Sequence, residues 1–164
     1  MKKIFLLLVL FSLLGCEKDD ICDENTATTP LLVLEFFRAD NPTIIQNVTS
    51  LKITANGQSE FGTFSGVSKI KLPLNTVADL TKYKLTLNSS STTAINTDYL
   101  QFNYARNEVF VSRACGFKTT YTLNATGGVV RTDETPADTT WITSFTILTS
   151  NIEKSNETHI KIFF

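Results

Sequence analysis

Reactive side chains are few in this chain of 164 residues. Its three cysteines are Cys16, Cys22 and Cys115, and its single histidine is His159. His159 falls on a predicted strand and has no nucleophile or carboxylate at the spacing of a catalytic triad. No C-x-x-C pair and no neighbouring histidine accompanies Cys22 or Cys115, as a metal or redox motif would require. The reactive residues therefore predict no catalytic site, no metal site and no cofactor.

The densest group of carboxylates lies in segment 131–140, RTDETPADTT. Asp133, Glu134 and Asp138 could offer oxygen ligands to calcium, but the EF-hand pattern with its ordering glycine is absent. We interpret the segment as an exposed polar loop, because charge clusters are usually solvated. Its Asp-Thr-Thr triplet resembles the Asp-Thr-x acceptor of Bacteroidota O-glycosylation, which makes Thr139 a candidate modification site.

Aromatic residues at strand spacing offer a candidate sugar-stacking platform, made of Tyr99, Tyr104, Tyr121 and Trp141. Aromatic residues spaced in this way more often form cross-strand pairs or part of the core. We therefore favour a packing role for the four rings over glycan binding.

The N-terminus has the pattern of an export signal. Lys2 and Lys3 precede eleven residues, Ile4 to Leu14, that are apolar except for Ser12. A membrane-spanning helix needs about 20 residues, so this run is too short to cross a bilayer but suits a secretory signal.

The run ends in Leu13-Leu14-Gly15-Cys16, which resembles the lipobox of bacterial lipoproteins. The resemblance implies cleavage before Cys16, diacylglycerol on its thiol and a mature chain without a transmembrane helix. The alternative is an ordinary signal peptide followed by an incidental cysteine. We predict a signal peptide at residues 1–15, a lipidated tether at 16–30 and one domain at 31–164.

Lys18, Asp19 and Asp20 follow closely and resemble the surface-export signal of Bacteroidota lipoproteins. This implies the outer leaflet of the outer membrane, at the cell surface. A solvated tether on a protein that faces the periplasm is the alternative.

Charge and cysteine usage fit this location. Loss of Lys2 and Lys3 takes Lys plus Arg from 15 to 13 against 16 Asp plus Glu, so the mature net charge is −3. A weakly acidic chain without a basic cluster is not expected to bind nucleic acid. In an oxidising compartment Cys22 and Cys115 are expected to form a disulfide, although free thiols or a redox or metal role stay open.

From Leu31 onward the chain alternates short strands with turns. Eight or nine strands at about ten-residue spacing predict an all-β, antiparallel sandwich of immunoglobulin-like type. Segment 99–113 is expected to form a hairpin with its turn at 105–108, and 76–81 is the one place for a short helical turn. The last residues, His159 to Phe164, are expected to form a buried strand.

Four stretches also resemble a family of uncharacterised Bacteroidota lipoproteins that carry a domain of unknown function. They are Cys-x-x-Asp-Asp-Ile-Cys, Thr-Thr-Pro-Leu-Leu, Val-Ser-Arg-Ala-Cys-Gly-Phe-Lys and the ending His-Ile-Lys-Ile-Phe-Phe. The resemblance supports Cys22 and Cys115 as linked features and brings no known activity.

The sequence thus predicts a lipid-anchored, non-enzymatic binding or scaffolding module. Its membrane contact would be the lipid, and its partner an outer-membrane β-barrel or a glycan. The oligomeric state is left open. An envelope hydrolase that acts on glycans through carboxylates is the alternative function.

Overall fold

The computed structural model describes residues 21–23, 26–55 and 60–164. The predicted signal peptide, the lipidation site Cys16 and the export residues Lys18, Asp19 and Asp20 lie outside these ranges. Within them, no helix has the length and apolar character that a membrane crossing requires.

The chain divides into two compact units. The larger unit comprises Thr29–Glu108 and Thr119–Phe164. The smaller unit comprises Val109–Lys118 together with the described residues before Thr29.

All regular structure in the described ranges is β-strand. In chain order the strands are β1 (Leu32–Phe37), β2 (Leu51–Ala55), β3 (Glu60–Phe64), β4 (Lys69–Leu72), β5 (Leu80–Leu87), β6 (Asn96–Ser112), β7 (Gly116–Leu123), β8 (Val129–Asp133), β9 (Ser144–Ile147), β10 (Asn151–Ile152) and β11 (Ile160–Phe163).

The strands form two sheets that pack together. One has the order β4-β1-β11-β9, and the other has the order β10-β7-β6-β5-β2-β3 with β8 also paired to β6. The prediction of an all-β sandwich is confirmed. The strand pairs are antiparallel, as expected, except that β1 and β11 pair in parallel with Leu34 opposite Ile160. An immunoglobulin-like arrangement is not confirmed.

The parallel pair joins the first and last strands of the larger unit. Residues Leu32, Leu34, Phe36, Ile160 and Ile162 of these strands are all fully buried. Strands covered on both faces carry near-continuous apolar runs, which explains the sequence LVLEFF of β1.

Inward residues of both sheets form one core, in the alternation that the sequence predicts. Its largest fully buried side chains include Tyr83, Tyr104, Tyr121, Phe36 and Phe102. The core is therefore rich in tyrosine, and each buried hydroxyl needs a hydrogen-bond partner.

Two local predictions are wrong. The predicted turn at 105–108 lies inside the 17-residue strand β6, and the chain turns after Ser112 instead. The polar residues stay in the strand because Arg106 finds partners there: its guanidinium donates to the Asp79 carboxylate at 2.6 Å and to the Thr76 carbonyl at 2.6 Å.

The other error concerns segment 131–140, whose first three residues belong to β8 rather than to a loop. Asp133 lies opposite Asp98 and Arg131 opposite Leu100 in the register with β6. Polar residues are accommodated in this strand because Arg131 donates hydrogen bonds to the backbone carbonyls of Ile142 and Thr143. These two carbonyls, which precede β9, thereby have hydrogen-bond partners.

Candidate functional site

The larger unit contains an open groove of about 630 Å³. Its lining comes from Ala55, Glu60 and Phe61, from residues 73–77 and from residues 80–83. Three apolar side chains on this lining are exposed: Val77 by 83%, Leu80 by 49% and Phe61 by 43%. No helical turn forms at 76–81, where the sequence would have allowed one, and residues 73–79 form an irregular loop that we call the groove loop.

Three buried tyrosines hold the groove loop by its backbone. Their hydroxyls donate to three successive carbonyls: Tyr83 to Pro73, Tyr121 to Leu74 at 3.2 Å and Tyr104 to Asn75 at 3.0 Å. Burial raises the pKa of Tyr121 to about 12 and also raises the pKa of Tyr83 and Tyr104. The three hydroxyls therefore stay protonated and act as donors.

A closed ring of hydrogen bonds completes the anchorage. The Asn75 amide donates to the Thr81 hydroxyl at 2.8 Å, and the Thr81 and Tyr104 hydroxyls lie 2.6 Å apart. The Asn75 side chain accepts from the Val77 amide at 2.8 Å, which fixes the turn. Val77 is thus exposed to solvent on a loop whose backbone is fixed by hydrogen bonds from core tyrosines and Thr81.

The groove contains one carboxylate among its lining residues, that of Glu60. Hydrogen bonds from Lys52 and Thr63 lower the pKa of Glu60, and the Lys52 ammonium lies 2.9 Å from its carboxylate. A general acid needs a pKa raised towards neutrality. The pKa of Glu60 is shifted the other way, and the described lining of the groove offers apolar side chains and hydrogen-bonding groups.

Among the described residues of the larger unit, Asp98 is a fully buried carboxylate. Its Oδ2 accepts from the Ile142 amide at 2.7 Å, whereas Oδ1 has no hydrogen-bond partner among the described residues. Its pKa is raised to about 6, first of all by burial and to a smaller extent by the charges of Asp133 and Asp138, against the lowering effect of the Ile142 amide and Arg131. Asp98 therefore carries a perturbed pKa without access to a substrate.

Two of the three candidate calcium ligands, Asp133 and Glu134, are engaged by protein groups. The Asp133 carboxylate accepts from the amides of Glu134 at 2.7 Å and Thr139 at 3.1 Å. Glu134 forms an ion pair of 2.7 Å with Lys84. In the described part of the chain, no group of three acidic, histidine or cysteine side chains could hold a metal ion.

Thr139, the candidate glycosylation site, is exposed and has a positive φ of 77°. Its carbonyl accepts from the Asn96 side chain at 2.6 Å, and its amide donates to Asp133. The backbone is thus fixed on both sides of an exposed side chain, and modification of Thr139 stays a prediction.

The four aromatic residues do not form one platform. Tyr104 and Tyr121 are buried with their rings edge to face at 5.0 Å, and Trp141 packs edge to face on Phe164 at 5.4 Å. Tyr99 lies under the Lys82 ammonium, 4.6 Å from its ring centre. The favoured interpretation as packing residues is correct for Tyr104, Tyr121 and Trp141.

His159 is fully buried beside the parallel pair of strands. Its Nδ1 accepts from the Val33 amide at 2.9 Å, so the neutral ring carries its proton on Nε2. Burial lowers its pKa, and Glu157 and the Lys154 backbone act in the opposite direction. This histidine holds the backbone between β1 and β11.

In the smaller unit, Cys22 and Cys115 are joined in the disulfide that the sequence predicts, with their Cα atoms 4.9 Å apart. Cys115 lies in the turn between β6 and β7, where its amide donates to the Ser112 hydroxyl at 3.0 Å. Phe110 and Phe117 flank this turn with their rings 5.4 Å apart. We call residues 110–117 the hairpin tip.

Sequence patterns did not indicate the groove loop or the exposed pair at the hairpin tip. Pro73 and Asn75 are turn-forming residues, and they were the available signal for the loop. Phe110 and Phe117 have no such signal, because alternating apolar residues near a turn predict burial as readily as exposure.

The structure therefore defines a two-sheet β-sandwich with a loop-bordered groove, and a hairpin whose turn is joined to Cys22 by a disulfide. Residues 50–164 match the family described as "Family of unknown function (DUF6452)". The chain belongs to this family. Comparison with curated proteins and with solved structures finds no match.

Proposed function

We propose that this protein is a lipid-anchored module of the bacterial outer membrane that binds or scaffolds another envelope component. The observation that carries the proposal is the order of basic residues, apolar run and Leu13-Leu14-Gly15-Cys16 at the N-terminus. Lys18, Asp19 and Asp20 place the module at the cell surface in this proposal, as in the Bacteroidota lipoproteins that they resemble.

The disulfide between Cys22 and Cys115 supports an extracytoplasmic location. Structural disulfides persist in oxidising compartments and are rare in the bacterial cytosol. The bond also consumes both cysteines other than Cys16, which leaves the Cys16 thiol as the one for lipid.

The groove favours binding over hydrolysis. It has exposed apolar residues on a held loop, together with the hydrogen-bonding groups of Asn75, Thr76 and Thr81. Pockets that bind ligands combine apolar surface with a few polar groups in this way. A glycosidase needs two accessible carboxylates about 5–10 Å apart, one with a raised pKa. Glu60 has a lowered pKa and Asp98 is buried, so the proposed role is non-enzymatic.

Mass spectrometry of the N-terminal peptide from protein made in its native host tests the anchor. The expected peptide begins at Cys16 and carries the mass of a diacylglycerol. Cys16→Ser is the control and is expected to abolish both lipid and membrane association. An unmodified peptide, or one that retains residues 1–15, would refute the proposal.

Protease treatment of intact cells tests the surface location. The wild type is expected to be cleaved, whereas replacement of Lys18, Asp19 and Asp20 by alanine is expected to leave a lipidated but protected protein. Protection of the wild type until the outer membrane is permeabilised would instead assign the module to the periplasmic side.

A further inference from the structure

The hairpin tip exposes an aromatic pair beside the disulfide. Phe110 is 57% exposed and Phe117 is 66% exposed, although each ring contacts the other. Ile21, which directly precedes Cys22, is 80% exposed. Apolar groups of this size at one place on a surface mark a contact with another apolar phase or partner.

Chain length limits how far this surface can lie from the proposed anchor. Cys22 follows Cys16 by six residues, and a fully extended chain of that length spans at most about 20 Å. Because the disulfide joins Cys22 to Cys115 in the hairpin tip, the same covalent limit applies to the tip. A bilayer that holds acyl chains on Cys16 is therefore within reach of Phe110 and Phe117.

We propose that the hairpin tip inserts Phe110 and Phe117 into the headgroup region of the leaflet that holds the acyl chains of Cys16. This inference rests on the proposed lipid anchor. Aromatic and aliphatic side chains favour the boundary between headgroups and acyl chains. Arg113, exposed in the turn between the two phenylalanines, suits the phosphates of that region.

In this proposal the acyl chains hold the protein on the membrane, and the hairpin tip fixes the orientation of the smaller unit relative to the bilayer. One acyl chain alone binds marginally, whereas two or more hold a protein stably. A second contact, tied to the anchor by a disulfide, restricts how the smaller unit rotates about its tether. Phe110 and Phe117 thus orient the smaller unit at the membrane and are not needed to keep the protein attached.

Tryptophan fluorescence of the complete lipidated protein tests the insertion. Phe110→Trp and Phe117→Trp are made separately, and each protein is reconstituted into phosphatidylethanolamine–phosphatidylglycerol vesicles with or without bromine near the top of the acyl chains. Inserted residues lie roughly 5–10 Å into the interface, so a roughly two-fold loss of the added emission is expected with bromine. Trp141, the single tryptophan of the wild type, is the reference, since it is half-buried and bonded to the Leu85 carbonyl.

Val77→Trp is the matched control, because Val77 is an apolar residue of the larger unit that is even more exposed than Phe110 and Phe117. Its emission is expected to be unchanged by bromine. Equal quenching at Val77 would overturn the inference, since contact with lipid would not be specific to the tip.

The mass of the same sample separates the two proposals. Lipid on Cys16 with no quenching at positions 110 and 117 overturns the insertion and leaves the lipoprotein proposal intact. Absence of lipid on Cys16 overturns both. Cross-linking of position 117 between two copies, without quenching, would assign the tip to self-association and also overturn the insertion.

Discussion

At the scale of single residues, Asp98 and His159 are buried titratable groups of opposite acid–base type. Burial favours the neutral form of each, which raises the pKa of the carboxyl and lowers that of the imidazole. Stability between about pH 4 and 7 is therefore expected to depend on two opposing proton equilibria.

Asp98→Asn is expected to stabilise the protein at neutral pH. The folded-state pKa of Asp98 is raised from 3.8 to about 6, so the folded state binds the proton first and stability falls as pH rises through this window. The difference corresponds to about 3 kcal/mol as an upper value. Urea unfolding at several pH values should show the variant's advantage growing from about pH 4 to 7.

Asp138→Asn is the control for this prediction. It removes a charge that raises the pKa of Asp98 while leaving the Asp98 carboxyl in place. The window of pH dependence should move to lower pH without disappearing. Parallel pH profiles for the wild type and Asp98→Asn would contradict the buried-charge explanation.

The Asp98→Asn protein also isolates His159. Because the folded-state pKa of His159 is lowered, the unfolded state binds the proton first as pH falls below about 6.5. The free energy of unfolding should then fall with acidification in this window. His159→Asn, which keeps an acceptor for the Val33 amide, should flatten that slope; an unchanged slope would assign it to other groups.

At the scale of elements, the groove loop depends on hydroxyl groups beneath it. Tyr104→Phe removes the donor to Asn75 and the partner of Thr81. A loss of about 1–2 kcal/mol in the free energy of unfolding is expected, and the amides of Asn75 and Val77 should exchange faster with solvent. Tyr99→Phe, on the outer face under Lys82, is the matched control and should change neither quantity.

The disulfide makes the second prediction at this scale. Cys22 and Cys115 are 93 residues apart, and closing a loop of that length stabilises by about 4–5 kcal/mol in the chain-entropy model. Replacing both cysteines by serine should lower the free energy of unfolding by up to that amount. Addition of reductant should reproduce the effect in the wild type and have none in the double variant.

These elements also show what the sequence could predict. Period-two alternation places Leu51 and Ile53 of β2, and Ile70 and Leu72 of β4, on inward faces, and all four are buried. Alternation does not show where a polar strand ends, so the sequence predicts a turn at 105–108, within β6, and a loop at 131–140, which overlaps the last three residues of β8. The polar residues in those strands are stabilised by residues distant in sequence, as Arg106 is by Asp79. A local sequence pattern cannot indicate such distant partners.

The groove could not be predicted for the same reason. Its loop is shaped by tyrosines from β5, β6 and β7, whose hydroxyls meet at Pro73, Leu74 and Asn75 only after the sheets pack. The sequence favours a core position for Tyr104 and Tyr121, which is correct, but it does not indicate the hydrogen bonds that their hydroxyl groups make. The disulfide was predictable because the proposed export to an oxidising compartment restricts the chemistry of Cys22 and Cys115 without any knowledge of the fold.

At the scale of the whole molecule, the fold is closed by its last strand. β11 lies between β1 and β9 in the four-stranded sheet, with Ile160 and Ile162 fully buried. The Phe164 ring packs edge to face on Phe36 at 6.0 Å and on Trp141 at 5.4 Å. Strand β11 is therefore an interior strand that both neighbouring strands need for their hydrogen bonds.

Deletion of residues 162–164 should therefore unfold the larger unit rather than shorten a tail. It removes Ile162, the Phe164 contacts and the backbone bonds that Phe164 makes with Phe37 and Ala39, whereas loss of one large core side chain already costs about 2–5 kcal/mol. Circular dichroism and limited proteolysis should show loss of the β signal and rapid digestion. Ile147→Ala on the edge strand β9, a residue 38% exposed, is the control and should stay folded with a loss of about 1 kcal/mol. A truncated protein that melts cooperatively near the wild-type temperature would show that the parallel pair of β1 and β11 is dispensable.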